Sequence, residues 1–354
     1  MCIRDSYQDV TFAGTASVET GQTIVAGEIS NSGTLTFEGD TSTTADETLL
    51  ISGGVSLSGG GQVVLVDNDS VIGNAAPFIG GTAGVLTNVD NTIRGQGTVG
   101  VQLTNESLVR AEGGTLTLGA ATDNSAGNIE IAADGRLQNS VSITGGTITA
   151  EAGSKLASGL GVYQDVTFAG TASVETGQTI VAGEISNSGM LTFEGDTSTG
   201  TDENLLISGA TSLSGGGQVV LVDNDSVIGN AAPFIGGETG VLTNVDNTIR
   251  GTGRIQNITI ENQGTIRAEG GELTFTGVDF TQTAGRLEVA EDGVLRASQE
   301  LLILDGQVGG TGIIIGDIRN QGGTINAGDL LGTCLLYTSP SPRDRTRSRM
   351  PSSA

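Results

Sequence analysis

The feature that most constrains this chain is a long internal duplication. Residues 7–95 recur at 163–251 with only eight substitutions, an offset of 163 − 7 = 156 residues. Inside each copy, Gly-rich turns alternate with brief runs of Thr and aliphatic residues. Self-similarity at such short spacing is typical of stacked units that each bury one side against the next. The sequence therefore predicts a repeat protein.

Two explanations of the duplication remain open: a true tandem repeat, and an assembly that joined two copies of one region. The differences between the copies argue against simple copying. They pair Thr34 with Met190, Thr44 with Gly200, Ala45 with Thr201, Thr48 with Asn204, Gly54 with Ala210, Val55 with Thr211, Thr82 with Glu238 and Ala83 with Thr239.

Strand signals are short and frequent, whereas no apolar pattern persists at helical spacing. Leu35-Thr36-Phe37 and Leu116-Thr117-Leu118 alternate apolar residues with Thr, as expected for strands with one buried side. Asn and Gly precede such strands in Asn31-Ser32-Gly33 and Asn262-Gln263-Gly264. There the backbone needs either a positive φ or a bend capped by a side chain.

The spacing of the strands favours a solenoid over an antiparallel sandwich. Comparable positions fall at Leu108, Ile129 and Ile148, and a coil of a parallel β-helix needs roughly 20 residues. A sandwich usually buries large aromatic residues, whereas this chain has no Trp and only eight Phe. The predicted fold class is all-β, a parallel and right-handed β-helix solenoid of about 16 coils, roughly 75–80 Å long.

The predicted organisation is one continuous rod of two units, residues 7–162 and 163–333, with no linker between them. Residues 1–6 and 334–354 resemble the translation of a transposase adapter used in sequencing libraries. The codons that can encode the two segments are complementary to each other. We therefore predict that both ends are adapter-derived, and that the second is disordered.

Without these ends the chain has 10 Lys and Arg against 38 Asp and Glu, a net charge of 10 − 38 = −28. Such acidity disfavours nucleic acid and anionic membranes as partners. The chain has no His, and its only cysteines, Cys2 and Cys334, lie in the excluded ends. Catalytic triads that need His, and zinc sites that need His or Cys, are therefore excluded. The sequence also has no run of about 20 apolar residues, so it predicts no membrane span.

Paired acids are the remaining candidates for chemistry. Asp67 and Asp69 recur as Asp223 and Asp225, and Asp-Asn-Asp is foremost a turn-forming sequence. Read as functional residues, they could be a general acid and base, with Arg94 and Arg250 holding an acidic sugar. The stronger hypothesis is a weak surface calcium site formed by these four aspartates, with Asp90 as a further ligand. A melting temperature unchanged by millimolar calcium at low ionic strength would count against it.

The segments Leu86 to Gly95 and Asn262 to Leu273 resemble repeats of large bacterial surface proteins, the autotransporter passengers and filamentous haemagglutinin-like adhesins. The resemblance implies a non-catalytic stalk or adhesin segment, extracellular or at the outer-membrane surface, without a cofactor. Its expected partners are host, neighbouring-cell or matrix surface components. The alternative is a carbohydrate-binding or carbohydrate-active β-helix. A cut solenoid also predicts end-to-end self-association, because it exposes unpaired strands.

Overall fold

The computed structural model describes residues 4–18, 21–39, 47–67, 76–81, 83–158, 160–174, 177–195, 203–223, 232–237 and 239–327. Within these ranges the regular elements are all strands, and every strand pairing is parallel. The sheet winds around itself as a solenoid, so the predicted parallel β-helix is confirmed. The described residues contain no helix, and therefore none with the length and apolar character to span a membrane.

The strands that begin in the first unit, or just before it, are β1 (Arg4–Phe12), β2 (Thr15–Val18), β3 (Gln22–Asn31), β4 (Thr34–Glu38), β5 (Thr48–Ser58), β6 (Gln62–Val66), β7 (Phe78–Gly80), β8 (Val85–Asn88), β9 (Thr92–Val99), β10 (Gln102–Asn105), β11 (Leu108–Leu118), β12 (Thr122–Asp123), β13 (Asn128–Ile131), β14 (Arg136–Asn139), β15 (Ser142–Thr144), β16 (Thr147–Ser158) and β17 (Val162–Gln164).

The strands of the second unit are β18 (Thr167–Val174), β19 (Gln178–Asn187), β20 (Met190–Glu194), β21 (Asn204–Ser214), β22 (Gln218–Val222), β23 (Phe234–Gly236), β24 (Val241–Asn244), β25 (Thr248–Gln256), β26 (Thr259–Asn262), β27 (Thr265–Thr276), β28 (Asp279–Gln282), β29 (Arg286–Val289), β30 (Val294–Ala297), β31 (Leu301–Ile303), β32 (Gln307–Gly310), β33 (Ile313–Ile315), β34 (Ile318–Asn320) and β35 (Thr324–Ala327).

The pairings group these strands into three faces of the solenoid. In each coil the chain forms face 1, then face 2, then face 3. Long strands bend at a corner and contribute to two faces. Face 1 contains 4–8, 22–25, 48–51, 78–80, 97–99, 116–118, 136–139, 154–156, 172–174, 190–194, 218–222, 248–251, 265–268, 286–289, 307–310 and 324–327. Face 2 contains 10–12, 29–31, 55–58, 85–88, 102–105, 122–123, 142–144, 162–164, 180–182, 204–208, 234–236, 254–256, 273–276, 294–297 and 313–315. Face 3 contains 15–18, 34–38, 62–66, 92–95, 108–111, 128–131, 147–150, 167–170, 183–187, 211–214, 241–244, 259–262, 279–282, 301–303 and 318–320.

The described strands thus complete fifteen coils, with one further strand on face 1. At about 4.8 Å per coil this gives a rod about 72 Å long. The prediction of about 16 coils is close to this count. Residues 4–6, which the sequence assigns to an adapter, continue β1 and pair with β3; the predicted adapter tail at 334–354 lies outside the described residues.

The duplicated unit does not span a whole number of coils. Seven steps along face 3 lead from 34–38 to 183–187, and the next strand of the chain, 190–194, lies on face 1. Residues 190–194 are the copy of 34–38. Equivalent residues of the two units are therefore displaced by seven coils and turned by one face. The 156-residue offset corresponds to about 21 residues per coil.

The alternation of apolar residues with Thr places one row inside the coil and one outside. On face 3 the inward residues of successive coils stack in register and are buried. They are Val63, Ile93, Val109, Ile129, Ile148 and Phe168. Val109, and not Leu108, is the register partner of Ile129, so the predicted spacing was one residue off at this coil. The interior is the stack of aliphatic residues that a narrow solenoid requires.

The Asn-x-Gly corners are bends capped by side chains. Asn31 Oδ1 accepts a hydrogen bond from the Gly33 N–H at 3.1 Å, and Asn187 does the same for Gly189 at 3.2 Å. Neither glycine has a positive φ. A Cβ atom on Gly33 would lie 1.7 Å from the Gly14 carbonyl oxygen of the coil beneath. Glycine is required there because the backbones of adjacent coils approach closely.

Candidate functional site

Charged side chains form a ladder on the outside of face 3 in the first unit. This first ladder consists of Arg94, Arg110, Glu112, Glu130 and Glu151. Arg110 donates hydrogen bonds to Glu112 at 2.9 Å, Glu130 at 2.6 Å and Glu151 at 2.9 Å, and Arg94 donates to the same Glu112. The ladder therefore connects four successive coils.

The ladder favours the charged form of Arg110. Hydrogen bonds to Glu130 and then Glu112 raise the pKa of Arg110 above its ordinary value. The side chains of these ion pairs stay between 26% and 50% exposed. Each pair then contributes about 0–1 kcal/mol to stability. The three glutamates outnumber the two arginines, so their negative charge more than compensates the positive charge.

The second unit carries a shorter version of the ladder. This second ladder consists of Arg250, Arg267, Glu269 and Glu288, and it lies on face 1 because the unit is turned by one face. Glu269 contacts Arg250 at 2.6 Å and Arg267 at 2.7 Å, while Glu288 is 3.8 Å from Arg267. Thr311 follows Gly310 at the level where Glu151 follows Ala150 in the first unit, so the ladder ends one coil earlier.

The arginines that an acidic sugar would need are engaged within the ladders. Arg94 Nε donates to Gln62 at 2.9 Å, and Arg250 Nε donates to Gln218 at 2.8 Å. Their terminal nitrogens contact Glu112 and Glu269. An anionic ligand at either arginine would have to displace a glutamate, at the cost of an ion pair.

Two of the predicted calcium ligands lie just after a strand, one in each unit. Asp67 follows β6, and its carbonyl oxygen accepts a hydrogen bond from Gln96 Nε2 at 2.6 Å. Asp223 follows β22 and donates its N–H to Thr252 Oγ1 at 2.9 Å. Asp69 and Asp225 lie outside the described residues. Among the described residues, no three acidic, His or Cys side chains group closely enough to hold a metal ion. The calcium hypothesis stays a prediction.

Asp90, the further predicted ligand, caps a corner. Its Oδ1 accepts hydrogen bonds from the Gly60 N–H at 2.9 Å and from Asn91 Nδ2 at 3.2 Å. Asp246 repeats both contacts in the second unit, with Gly216 and Asn247. One carboxylate oxygen of each aspartate is thus committed to the corner, where it joins its own coil to the coil beneath.

Buried asparagines form a second kind of ladder, inside the corners. Asn88 Nδ2 donates to Asn105 Oδ1 at 2.9 Å, and Asn105 Nδ2 donates to Asn124 Oδ1 at 2.7 Å. In the second unit the same ladder joins Asn244, Asn262 and Gln282. All six side chains are inaccessible to solvent. Hydrogen bonding between coils compensates the desolvation of these amides and locks the register of the corner.

The amide oxygens of Asn88 and Asn244 have no hydrogen-bond partner within the described part of the chain. The coil beneath explains this, because Leu57 and Leu213 are the register partners of these two asparagines and have no donor to offer. Each asparagine ladder therefore begins on a leucine.

The inward asparagines are the important residues that sequence reasoning missed. It assigned Asn near Gly to turns alone. The signal was present in the alternation: Leu86-Thr87-Asn88 and Leu103-Thr104-Asn105 both place Asn in phase with the inward leucine. A polar residue at the last inward position of a strand predicts an amide that faces the interior beside a corner.

The two units differ in how their interior is filled. Near β1 and β2 an apolar cavity of about 330 Å³ is lined by Tyr7, Phe12 and Val18 among others. The corresponding cavity of the second unit, lined by Phe168 and Val174, measures about 20 Å³. Both cavities lie in the interior of the solenoid. Neither is a groove lined by carboxylates and aromatic residues on its outer surface.

Known protein families, curated proteins and solved structures give no match to this chain.

Proposed function

We propose that this chain is a non-catalytic rod, a stalk or adhesin segment of a bacterial surface protein, exported and displayed outside the cell. The observation that carries the proposal is the continuous core from Val25 to Val308, which the junction of the units does not interrupt. The length of such a rod is set by its number of coils, because each coil adds the same rise and is fixed by parallel pairing to its neighbours.

The junction between the units supports the stalk role. β16 pairs with β18, and β18 pairs with β20, so that the backbone ladder crosses from one unit to the next. On the inside, Ile148 stacks on Phe168 and Leu156 stacks on Val174. A load along the rod would pass through paired strands at this point.

The compensated charges support a role that does not depend on catalysis. The arginines of both ladders contact glutamates of their own chain. An adhesive contact would then use the acidic surface of the rod, in a chain of net charge −25, toward basic or cation-bridged components of a host, neighbouring cell or matrix.

Surface display tests the stalk role directly. The chain is placed between an outer-surface anchor and a fluorescent tag, and the height of the tag above the membrane is measured by energy transfer to a membrane dye. Deleting residues 31–186 joins Ser30 to Asn187, which restores the natural sequence of either unit across the junction. We expect the height to fall by about 35 Å, which is seven and one third coils of about 4.8 Å.

A tag height that is independent of the number of units would contradict the stalk role, provided that circular dichroism shows both chains folded.

The carbohydrate-binding alternative is tested on glycan arrays, where it predicts tight, saturable binding that Asp67→Ala and Asp223→Ala together abolish. That result would replace the proposal with the carbohydrate-binding alternative.

A further inference from the structure

An aromatic ring lies on the outside of face 1 in the first unit. Phe78 points outward, because its neighbour Ile79 is the buried residue that lies inside the coil. The ring lies across two glycines: a Cβ atom on Gly80 would lie 1.9 Å from Phe78 Cε1, and one on Gly100 would lie 2.4 Å from Phe78 Cε2. Phe78 remains only partly buried. Glycine at both positions therefore makes room for an aromatic ring on the outer surface.

The ring lies within an uncharged strip that crosses six coils of face 1. Two columns of outward positions, aligned by the register of the coils, form what we call the first strip. One column consists of Gln22, Thr48, Phe78, Thr98, Thr117 and Gln138. The other consists of Ile24, Leu50, Gly80, Gly100 and Gly119. None of these residues is charged, although the chain has a net charge of −25. Arg136, two residues before Gln138, borders the strip at its end.

The copy of this strip in the second unit has a covered ring. Arg254 and Gln256 occupy, beside Phe234, the places that Thr98 and Gly100 have beside the ring of the first unit. The guanidinium of Arg254 lies over the Phe234 ring, with Cζ 5.7 Å from the ring centroid. The duplicated sequence ends at residues 95 and 251, so this difference arises in the next strand. The same aromatic residue is thus combined with uncharged neighbours in one unit and with an arginine in the other.

The polar side chains of the first strip are available to a ligand. The side chains of Thr98, Thr117 and Gln138 form no hydrogen bond within the described part of the chain, and all three are partly exposed. Hydroxyl and amide groups both donate and accept hydrogen bonds, so they suit a ligand rich in hydroxyl groups. An aromatic ring beside them provides apolar contact area, which suits the C–H groups of a sugar ring.

Two other kinds of ligand fit the first strip less well. An acidic polymer would be repelled by the net negative charge of the chain, and the strip itself has no cation. A peptide cannot add to the sheet here as a further strand, because β7 is already paired with β5 on one side and β9 on the other. The chemistry of the strip therefore favours an uncharged sugar chain.

We propose that the first strip binds an uncharged polysaccharide chain, which lies along the rod over Phe78 and contacts Thr98, Thr117 and Gln138. One polar side chain per coil would then meet successive sugar rings. Arg254 covers the corresponding ring of the second unit, which does not bind this ligand. The inference does not depend on the stalk or adhesin role, and it uses none of the aspartates on which the carbohydrate-binding alternative depends.

Binding of uncharged oligosaccharides to the full chain tests the proposal. An array of uncharged glycans, with oligogalacturonate as the acidic comparison, identifies a ligand that is then titrated by calorimetry. Phe78→Ala removes the ring, and Thr98→Arg places over it the side chain that Arg254 provides in the second unit. The matched controls are Phe234→Ala and Thr104→Arg, which adds the same charge on face 2. Circular dichroism checks that every variant is folded.

We expect one ligand per chain, with an affinity that does not change with salt because no ion pair forms. Phe78→Ala should weaken binding about tenfold, as expected when an aromatic contact is lost, and Thr98→Arg by at least as much. Both controls should bind like the parent chain. Combining Arg254→Thr with Gln256→Gly copies the first strip around Phe234 and should raise the stoichiometry to two.

The proposal would be overturned if no uncharged glycan bound at millimolar concentration, or if only oligogalacturonate did. It would also be overturned by binding that Phe78→Ala and Thr98→Arg both leave unchanged, or that Phe234→Ala weakens as much as Phe78→Ala. The height of the tag in the surface-display experiment does not depend on any of these results, so the stalk role and the sugar site can fail separately.

Discussion

The two units show what a near-identical sequence does in two different settings. Tyr163, Phe168 and Val174 are buried against the last coil of the first unit, whereas Tyr7, Phe12 and Val18 begin the described rod and are partly exposed. The strands themselves form in both places and pair in the same local register. Local sequence thus specifies the coil, and the neighbouring coil decides how much of it is buried.

The units also differ in direction. The first ladder lies on face 3 and the second on face 1, although Arg94 and Arg250 occupy equivalent positions. A repeat of seven and one third coils turns each successive unit by one face, so that the same surface points to different sides of the rod. A partner of the ladders would meet two sites that face different directions.

The largest expected difference between the units concerns Phe168 and Phe12. Phe168→Ala should lower the free energy of unfolding by about 3–5 kcal/mol, because it leaves a cavity beneath a covered coil. Phe12→Ala should cost about 1 kcal/mol, since that side chain is already partly exposed. Urea denaturation of both variants measures the difference. Equal losses would mean that the two coils are buried alike.

The asparagine ladders should give the next largest effect, and one that is similar in the two units. Asn105→Ala leaves the amides of Asn88 and Asn124 without their partner, and Asn262→Ala does the same to Asn244 and Gln282. Each variant should lose about 1–3 kcal/mol. Asn326→Ala, at an exposed position on face 1, serves as a control, with an expected loss under about 0.5 kcal/mol. A loss no larger than the control would show that the ladder contributes no stability.

A smaller effect is expected where the units differ by one buried residue. Thr211 replaces Val55, and its hydroxyl can donate its one proton to the Val181 or the Ser208 carbonyl oxygen, at 3.4 or 3.3 Å. Such long hydrogen bonds offset the burial of the hydroxyl only in part. Thr211→Val should therefore stabilise, and Val55→Thr destabilise, each by under about 1 kcal/mol. Shifts of the same sign in thermal melting would contradict this account.

The smallest expected effect depends on pH. Hydrogen bonds from the Ser125 hydroxyl and N–H lower the pKa of Asp123 below its ordinary value of 3.8. Because the folded pKa lies below the unfolded one, the stabilisation is present above pH 3.8 and disappears as the pH falls through the folded value. Asp123→Asn should therefore destabilise slightly at neutral pH and not in strong acid. Thr281 stands at this level in the second unit, so Thr281→Val provides a variant without pH dependence.

The fold class could be predicted from the sequence, whereas the rotation of one unit relative to the other could not. The alternation in Leu35-Thr36-Phe37 predicts a strand with one buried side, because that signal depends only on neighbours in the chain. The one-face turn between units was not predicted. It follows from the number of corners in 156 residues, and the connections vary from the two residues between β3 and β4 to the eleven between β6 and β7.

For the candidate sites, the sequence predicted where residues lie in the fold better than it predicted which contacts they make. Asp67 and Asp223 do lie beyond a strand, as their turn-forming neighbours predict. Arg94 and Arg250 were considered for sugar binding. In the fold, each forms an ion pair with a glutamate of the adjacent coil, Glu112 and Glu269 respectively. That contact joins residues 18 and 19 apart, and only the register of the coils reveals it.

The most direct test of the stacked coils is the distance between spin labels at Ser17→Cys and Thr149→Cys, with Cys2 and Cys334 replaced by Ser. These positions lie in one outward column of face 3, separated by six steps through Thr36, Val64, Arg94, Arg110 and Glu130. The account predicts a narrow distribution centred near 29 Å, which is six spacings of about 4.8 Å. A broad distribution, or a centre displaced by more than about two spacings, would contradict it.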